Sequence, residues 1–103
     1  RSQFIGGMTM GISMALHEEG IIDREFGDYL NHDFAQYHVA SCADIREIDA
    51  HWVEEHDENL NPMGSKGIGE IGIVGTAAAV ANAVFNATGK RVRDLPIRLD
   101  RLL

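Results

Sequence analysis

The longest periodic apolar segment, residues 69–87, constrains the fold of this chain more than any other feature. Its apolar residues occupy nearly every face of a helix, and many of them are alanines. A helix that is apolar all round has to be covered by other elements, and small side chains let neighbouring backbones approach closely. The sequence therefore predicts a buried helix over 69–87, with Gly89 directly after its last turn.

A second helix is predicted near the start of the chain, from Gln3 to Glu19. Gly20 follows its acidic end and suits the position just after a helix. The interior glycines Gly6, Gly7 and Gly11 each weaken a helix by roughly 1 kcal/mol relative to alanine, so tertiary packing has to hold it. They also permit close approach, either of another helix or of a ligand, and both readings stay open. Its apolar residues recur every three or four positions: Phe4, Ile5, Met8, Ile12, Ala15 and Leu16.

The segments outside the two helices predict short strands and loops. Residues 45–53 partly alternate between apolar and polar side chains, which indicates a strand covered on one face. The piece Leu95–Leu99 contains Pro96 and predicts an edge strand. The remaining segments are extended pieces at 20–23 and 28–30, a mixed stretch at 33–39 and a charged loop at 54–59.

The order helix, strands, helix, strand predicts an α+β fold. We expect two main helices packed on a small, mostly antiparallel sheet, with residues 1–103 forming a single domain.

Composition excludes several classes of partner. Nine basic and sixteen acidic residues give a formal charge of −7, which argues against capture of a nucleic-acid backbone. The one cysteine, Cys42, cannot form an internal disulfide, and this favours a reducing, cytoplasmic location. No apolar run approaches the ~18–20 residues of a membrane span, so we expect no membrane partner. The chain does not begin with Met, and we expect it to be a piece of a longer protein.

A glycine-rich loop over residues 67–72 carries the first chemical candidate. It matches the dinucleotide fingerprint G-x-G-x-x-G formally, but residues 61–66 before it predict a loop where the fingerprint needs a strand. The loop also presents one carboxylate, Glu70, at a predicted helix start. An acid there stabilises a helix by about 0.3–1 kcal/mol, which is the common role. Alternatively, flanking glycines let a substrate approach, and Glu70 acts as a general base.

The histidines and the cysteine suggest no second site. His51 and His56 are five residues apart, which is not the spacing of a helical zinc pair, and the other three histidines are scattered. We therefore expect no metal bound directly by side chains of this chain. Cys42 has no neighbouring base in the sequence, so a nucleophilic role has no basis.

Three parts of the sequence together resemble a known family. Residues 64–72, Gly-Ser-Lys-Gly-Ile-Gly-Glu-Ile-Gly, the alanine-rich helix and residues 86–97 look like the C-terminal end of the molybdenum-binding large subunit of the xanthine dehydrogenase and aldehyde oxidase family. Residues 3–11 and 15–19 resemble the stretch of those subunits that approaches the cofactor. The resemblance covers nearly the whole chain. Ile71-Gly72 stands where the animal enzymes have two prolines, which is more similar to the bacterial aldehyde-oxidising branch.

The resemblance implies roles for particular residues. Glu70 would be the catalytic glutamate, the base that activates water-derived oxygen for attack on an aldehyde or an N-heterocycle. The chain would form part of a larger molybdopterin-binding domain, and it would contribute the catalytic base and part of the cofactor cavity. The residues implied to line or bind the cofactor are Gln3, Gly6, Gly7, Lys66, Gly67 and Gly69.

The resemblance also implies cofactor and partners. The full-length protein would hold the molybdenum cofactor, a molybdopterin whose cytosine dinucleotide form is left open, whereas the 103-residue chain alone is expected to hold none and to be inactive. The implied partners are the rest of the large subunit, iron–sulfur and FAD subunits or domains, and a small-molecule substrate; exposed apolar surface also suggests a homo-oligomer. The alternative is a non-catalytic α+β domain that binds a partner or self-associates.

Overall fold

The structure, a computed structural model, describes residues 1–103. Two short strands pair as an antiparallel hairpin, with Ile22 opposite Tyr29. The predicted α+β class is confirmed. In chain order the elements are α1 (Ser2–Leu16), β1 (Ile22–Asp23), β2 (Asp28–Tyr29), α2 (Ile71–Val74), α3 (Thr76–Thr88) and a final 3-10 helix (Leu99–Leu102).

The helices pack on one another, with α1 lying across α2 and the start of α3. A Cβ atom on Gly7 would lie 3.0 Å from the Cα atom of Gly72, and a Cβ atom on Gly11 would lie 2.5 Å from the Cβ atom of Thr76. Only glycine allows backbones to approach this closely. Gly7 and Gly11 therefore serve the contact between helices, whereas a Cβ atom on Gly6 would meet nothing within 4 Å.

Helix α1 ends earlier than the sequence predicts. Its last residue is Leu16, and the backbone N–H groups of His17 and Glu18 both donate to the carbonyl of Ser13, at 2.8 and 3.1 Å. These two bonds close the last turn, so the predicted end at Glu19 with Gly20 behind it is wrong by three residues.

The C-terminal half of α1 holds the later segments in place. Its Ser13 hydroxyl accepts a hydrogen bond from the backbone N–H of Ala40 at 2.9 Å. Its Ala15 carbonyl accepts one from the backbone N–H of Ile97 at 2.7 Å. The few buried residues gather mainly around these attachments: Gly11, Ser13, Ala15, Asn31, Ala50, Pro96 and Ile97.

Asn31 joins the end of α1 to the hairpin. Its Oδ1 atom accepts a hydrogen bond from the backbone N–H of Ile21 at 2.8 Å, and its amide nitrogen donates to the carbonyl of Glu19. The side chain is buried, so both bonds form away from bulk water. Asn31 therefore fixes the turn that follows α1.

We expect Asn31→Ala to destabilise the folded state by about 1–3 kcal/mol in total, because the part-buried backbone N–H of Ile21 and carbonyl of Glu19 lose their partner. The measurement is the thermal unfolding midpoint of the protein. Asn59→Ala is the matched control, since Asn59 is exposed and lies in a loop, and should stay within about 0.5 kcal/mol of the parent. Equal midpoints for the two variants would contradict the assigned role.

Two predicted strands are absent. Residues 45–53 have no regular secondary structure, and the tail is irregular through Arg98 before the 3-10 helix begins at Leu99. A strand needs a neighbouring strand with which to exchange several backbone hydrogen bonds. Residues 45–53 form no backbone–backbone hydrogen bond, and the only one that joins the tail to another segment runs from Ile97 to the end of α1. The predictions of a strand over 45–53 and of an edge strand over Leu95–Leu99 are therefore wrong.

The predicted helix over 69–87 is present but divided. It breaks at Gly75 into α2 and α3, and Gly89 ends α3 with a left-handed φ of 73°, as predicted. The expectation that this helix is buried is wrong, because no residue of α2 or α3 is buried. Helix α1 covers it from one side. Elsewhere the guanidinium of Arg91 lies over the Phe85 ring, 3.8 Å from its centroid, and much of the remaining apolar surface meets solvent.

The apolar length of this region also exceeds our expectation. The segment Ile71–Thr88 has 18 residues and is long and apolar enough to cross a membrane, by length and composition only. The expectation that no apolar stretch approaches a membrane span is corrected accordingly. Core helices of soluble proteins satisfy the same criterion, so the segment does not by itself identify a membrane protein.

Candidate functional site

A cavity of about 200 Å³ lies where the N-terminal half of α1 meets the loop before α2. We call it the Glu70 cavity. Of the seven residues that the sequence singles out, it brings five together. Those on α1 share one face, because residues three and four apart on a helix are neighbours. The lining residues are Ser2, Gln3, Gly6, Gly7, Met10, Gly69, Glu70 and Ile73.

Glu70 is the residue directly before α2, and its side chain forms no capping hydrogen bond. Its backbone carbonyl accepts a hydrogen bond from the N–H of Ile73 at 3.0 Å. A carboxylate that caps a helix accepts a hydrogen bond from a backbone N–H of the first turn. Glu70 does not do so, and the residue lines the cavity with its carboxylate outside the chain's ion pairs.

The glycines of the loop before Glu70 leave parts of its backbone open to a ligand. Gly69 has a φ of 46°, in the left-handed region that favours glycine, and a Cβ atom at Gly67 or Gly69 would meet nothing within 4 Å. From residue 66 to residue 70, no backbone N–H donates to a backbone carbonyl. Such a run of free N–H groups can donate to the acceptor atoms of an anionic or heterocyclic ligand.

Two of the predicted cofactor-binding residues lie outside the Glu70 cavity. The ammonium group of Lys66 pairs with the carboxylate of Glu55 and lies 3.8 Å from that of Asp57. The acidic side chains of the charged loop attract this cation and hold it on their side. Gly67 belongs to the open part of the glycine loop and does not line the cavity either.

Some residues at this site were not found from the sequence. Met10 follows Gly6 and Gly7 at helical spacing, so the periodicity of α1 contained the signal for it. Gly72 does not line the cavity, but its backbone contacts Gly7. In the sequence, Gly72 is the third glycine of the G-x-G-x-x-G match. That match was set aside because the strand that a dinucleotide fingerprint requires is missing. Ser2 and Ile73 had no signal in the sequence.

The start of α1 is flanked by an aromatic contact. The rings of Phe4 and Trp52 stack with their centroids 6.3 Å apart and their planes 10° from parallel. The guanidinium of Arg1 lies 3.3 Å from the carboxylate of Asp49. These contacts attach the irregular segment around residue 50 to the helix that carries Gln3.

The groups with displaced pKa values lie away from the Glu70 cavity. A hydrogen bond to the carbonyl of Tyr29 raises the pKa of His32, and a hydrogen bond to the Glu18 carboxylate raises the pKa of Tyr37. Hydrogen bonds from the backbone N–H and the hydroxyl of Ser41 lower the pKa of Asp44, so all three shifts have a local structural cause. No group of three or more His, Cys, Asp or Glu side chains is arranged to hold a metal ion. The Glu70 cavity is thus the place where the predicted chemical groups meet.

Comparison with known proteins is consistent across sequence and structure. Residues 1–46 match the family model described as molybdopterin cofactor-binding domain. The chain is 52% identical over 103 residues to the aldehyde oxidoreductase molybdenum-binding subunit PaoC of Escherichia coli (strain K12), which covers 100% of this chain and 14% of that subunit. It is 39% identical over 100 residues to the xanthine dehydrogenase molybdenum-binding subunit of Escherichia coli O157:H7, covering 97% of this chain and 13% of that one.

A solved structure agrees with these relatives. The crystal structure of quinoline 2-oxidoreductase from Pseudomonas putida 86 superposes with a TM-score of 0.84 and 29% sequence identity, and the match covers 97% of this chain and 13% of that chain. The chain therefore spans about one seventh of the length of the curated relatives it matches.

Proposed function

This chain belongs to the molybdenum-binding subunits of the xanthine dehydrogenase family, and from that membership we propose that it supplies the catalytic base and part of the cofactor cavity of a molybdenum hydroxylase. The reaction we propose is oxidation of an aldehyde or an N-heterocycle with oxygen derived from water. The observation that carries the proposal is the cavity that Glu70 lines together with Gln3 and Gly6.

The residues around the Glu70 cavity fit a molybdopterin. Gly6 has no side chain, and a Cβ atom there would meet nothing within 4 Å, which leaves room for a ligand against α1. The Gln3 amide offers both a donor and an acceptor to the edge of a pterin ring. The free N–H groups of Gly69 and Glu70 can donate to its acceptor atoms. When bound, the molybdenum centre supplies the acceptor for the two electrons removed from the substrate.

Glu70 performs the proton transfer in this proposal. A general base has to be ionised and within hydrogen-bond reach of the proton it removes. The Glu70 side chain forms no capping bond, so its oxygens are free to take a proton from the attacking water-derived group. The roles of Lys66 and Gly67 toward the cofactor stay predictions, since neither lines the cavity.

The proposal is tested on the full-length molybdenum-binding subunit with its partner subunits. We expect molybdenum and pterin in the purified protein, together with oxidation of an aldehyde or an N-heterocycle. An aldehyde is the first substrate to assay, because the relative at 52% identity is named an aldehyde oxidoreductase. A cofactor-loaded protein that oxidised neither class of compound would contradict the proposed function.

Gln3→Ala should weaken retention of the pterin. Loss of the amide removes hydrogen bonds worth about 1–3 kcal/mol in total, which corresponds to roughly 5- to 150-fold in affinity. The measurement is the pterin content of the purified subunit after dialysis. Gln36→Ala is the matched control, because Gln36 is exposed and does not line the Glu70 cavity. Full pterin content in Gln3→Ala would show that this amide does not hold the cofactor.

Several broader features belong to the same proposal. We propose iron–sulfur and FAD subunits or domains as the route by which electrons leave, and a cytoplasmic location. The pterin is proposed with its cytosine dinucleotide form left open. The uncovered apolar faces of α2 and α3 support burial against the rest of a larger subunit, or self-association when this chain is alone.

A further inference from the structure

A backbone contact between helices lies close to Glu70, where Gly7 of α1 meets Gly72 of α2. A Cβ atom on Gly72 would lie 2.9 Å from the carbonyl oxygen of Phe4 and 3.2 Å from its Cα atom. A Cβ atom on Gly7 would lie 3.0 Å from the Cα atom and the carbonyl carbon of Gly72. Backbone atoms cannot rotate aside as the end of a side chain can. The absence of side chains on these two residues therefore sets the separation of α1 and α2.

The same contact determines where Glu70 stands. Helix α2 has four residues and starts directly after Glu70, so the two move as one short unit. The Glu70 carboxylate takes part in none of the chain's ion pairs and forms no capping bond. On its other side, Gly69 has open space around it. The contact at Gly72 is the nearest tight restraint that ties Glu70 to the helix carrying Gln3.

We propose that Gly72, together with Gly7, is a positioning residue that sets the distance of the Glu70 carboxylate from the α1 wall of the cavity. This inference rests on the proposed function, because it takes Glu70 as the base. A methyl group on Gly72 has to move α2 away from α1, and Glu70 moves with it. Misplacing a catalytic group by about 1 Å can cost as much as 10²-fold in rate.

The test uses the full-length, cofactor-loaded subunit. For Gly72→Ala we expect kcat to fall by roughly 10- to 100-fold, with KM and molybdenum content close to those of the parent. The thermal unfolding midpoint should fall as well, because the methyl group overpacks the contact between α1 and α2. A crystal structure of the variant should show Glu70 farther from Gln3. Gly75→Ala is the matched control: Gly75 follows α2, has an ordinary φ of −96°, and a Cβ atom there would meet nothing within 4 Å. Its kcat should equal that of the parent.

The outcomes separate this inference from the proposed function. If Glu70→Gln keeps full turnover, the proposed function fails. If Glu70→Gln is inactive but Gly72→Ala keeps the parent kcat, or leaves the Glu70 to Gln3 distance unchanged, only the positioning role fails. An equal loss in Gly75→Ala would also overturn it, because the effect would then not depend on the contact. If Gly72→Ala does not accumulate as folded protein, Gly7→Ala replaces it, because its methyl group overpacks the same contact from the α1 side. The same measurements then apply.

Discussion

Replacing Glu70 with glutamine in the intact molybdenum-binding subunit should lower turnover by roughly 10²- to 10⁴-fold, the usual contribution of a general base. Glutamine has nearly the same shape but cannot accept the proton. The Glu70 side chain forms no capping hydrogen bond, so the substitution should leave α2 and the cavity wall in place. The measurement is substrate oxidation per bound molybdenum, with metal and pterin content determined on the same preparation.

Glu25→Gln is the matched control for this experiment, because Glu25 is exposed in the hairpin turn and does not line the cavity. It makes the same chemical change at a position without a proposed role, and we expect parent turnover. Turnover by Glu70→Gln at the parent rate would place the base elsewhere in the protein. A loss of activity that followed a loss of molybdenum would instead indicate a role for Glu70 in holding the cofactor.

Two alanine substitutions on the same helix should have opposite effects on stability. Gly→Ala within a helix ordinarily stabilises by about 0.5–1 kcal/mol, and we expect this for Gly6→Ala, whose Cβ atom would enter open space. For Gly11→Ala we expect a loss of about 1–3 kcal/mol, because the new methyl group overpacks the contact with α3. It would lie 2.5 Å from the Cβ atom of Thr76. The measurement is the thermal unfolding midpoint of the apo subunit, which should rise for the first variant and fall for the second.

A second substitution at Thr76 tests the cause of that loss. In the Gly11→Ala background, Thr76→Ala removes the outer atoms of the threonine but keeps the Cβ atom that makes the closest approach. Thr76→Gly removes that atom as well and should recover more of the lost stability, as a double-mutant cycle would show. If Gly6→Ala and Gly11→Ala shifted the midpoint in the same direction, the close contact between the helices would not control stability.

The helices were the most predictable part of the fold. Apolar residues at helical spacing placed α1 and α3, and Gly89 marked the end of α3 because its left-handed φ suits glycine. The hairpin strands lie inside the extended pieces predicted at 20–23 and 28–30. The end of α1 was not predictable in the same way. It depends on the Ser13 carbonyl accepting two backbone N–H groups, which is a detail of the turn rather than of the periodicity.

The failed predictions of a strand over 45–53 and of a buried helix over 69–87 share one physical cause. Alternation over 45–53 indicates which residues are covered, but a strand also needs a hydrogen-bonding neighbour, and none lies beside this segment. The apolar helix over 69–87 was expected to be buried because its side chains require cover. Whether the helix is covered depends on other segments that pack against it, which residues 69–87 do not specify. Local sequence indicates whether a segment requires a hydrogen-bonding neighbour or apolar cover, whereas the packing of other segments determines whether either is present.

The candidate site was predictable only in part. The glycine loop identified Glu70 as a chemical candidate, but its meeting with Gln3, Gly6 and Gly7 across the chain was implied by the family resemblance rather than by spacing. Lys66 was implied by the resemblance in the same way, and in the structure its ammonium group pairs with the carboxylate of Glu55. The role of each residue toward the cofactor stays a prediction until it is measured.

The uncovered faces of α3 couple the folding of this chain to its assembly. The chain has a radius of gyration of 17.5 Å, whereas a compact domain of this length has about 13 Å. Any surface that binds only the folded form shifts the folding equilibrium toward it by mass action. The free energy of unfolding of α3 then depends on whatever surface covers it. A substitution that weakened that covering surface would be observed as unfolding of this helix.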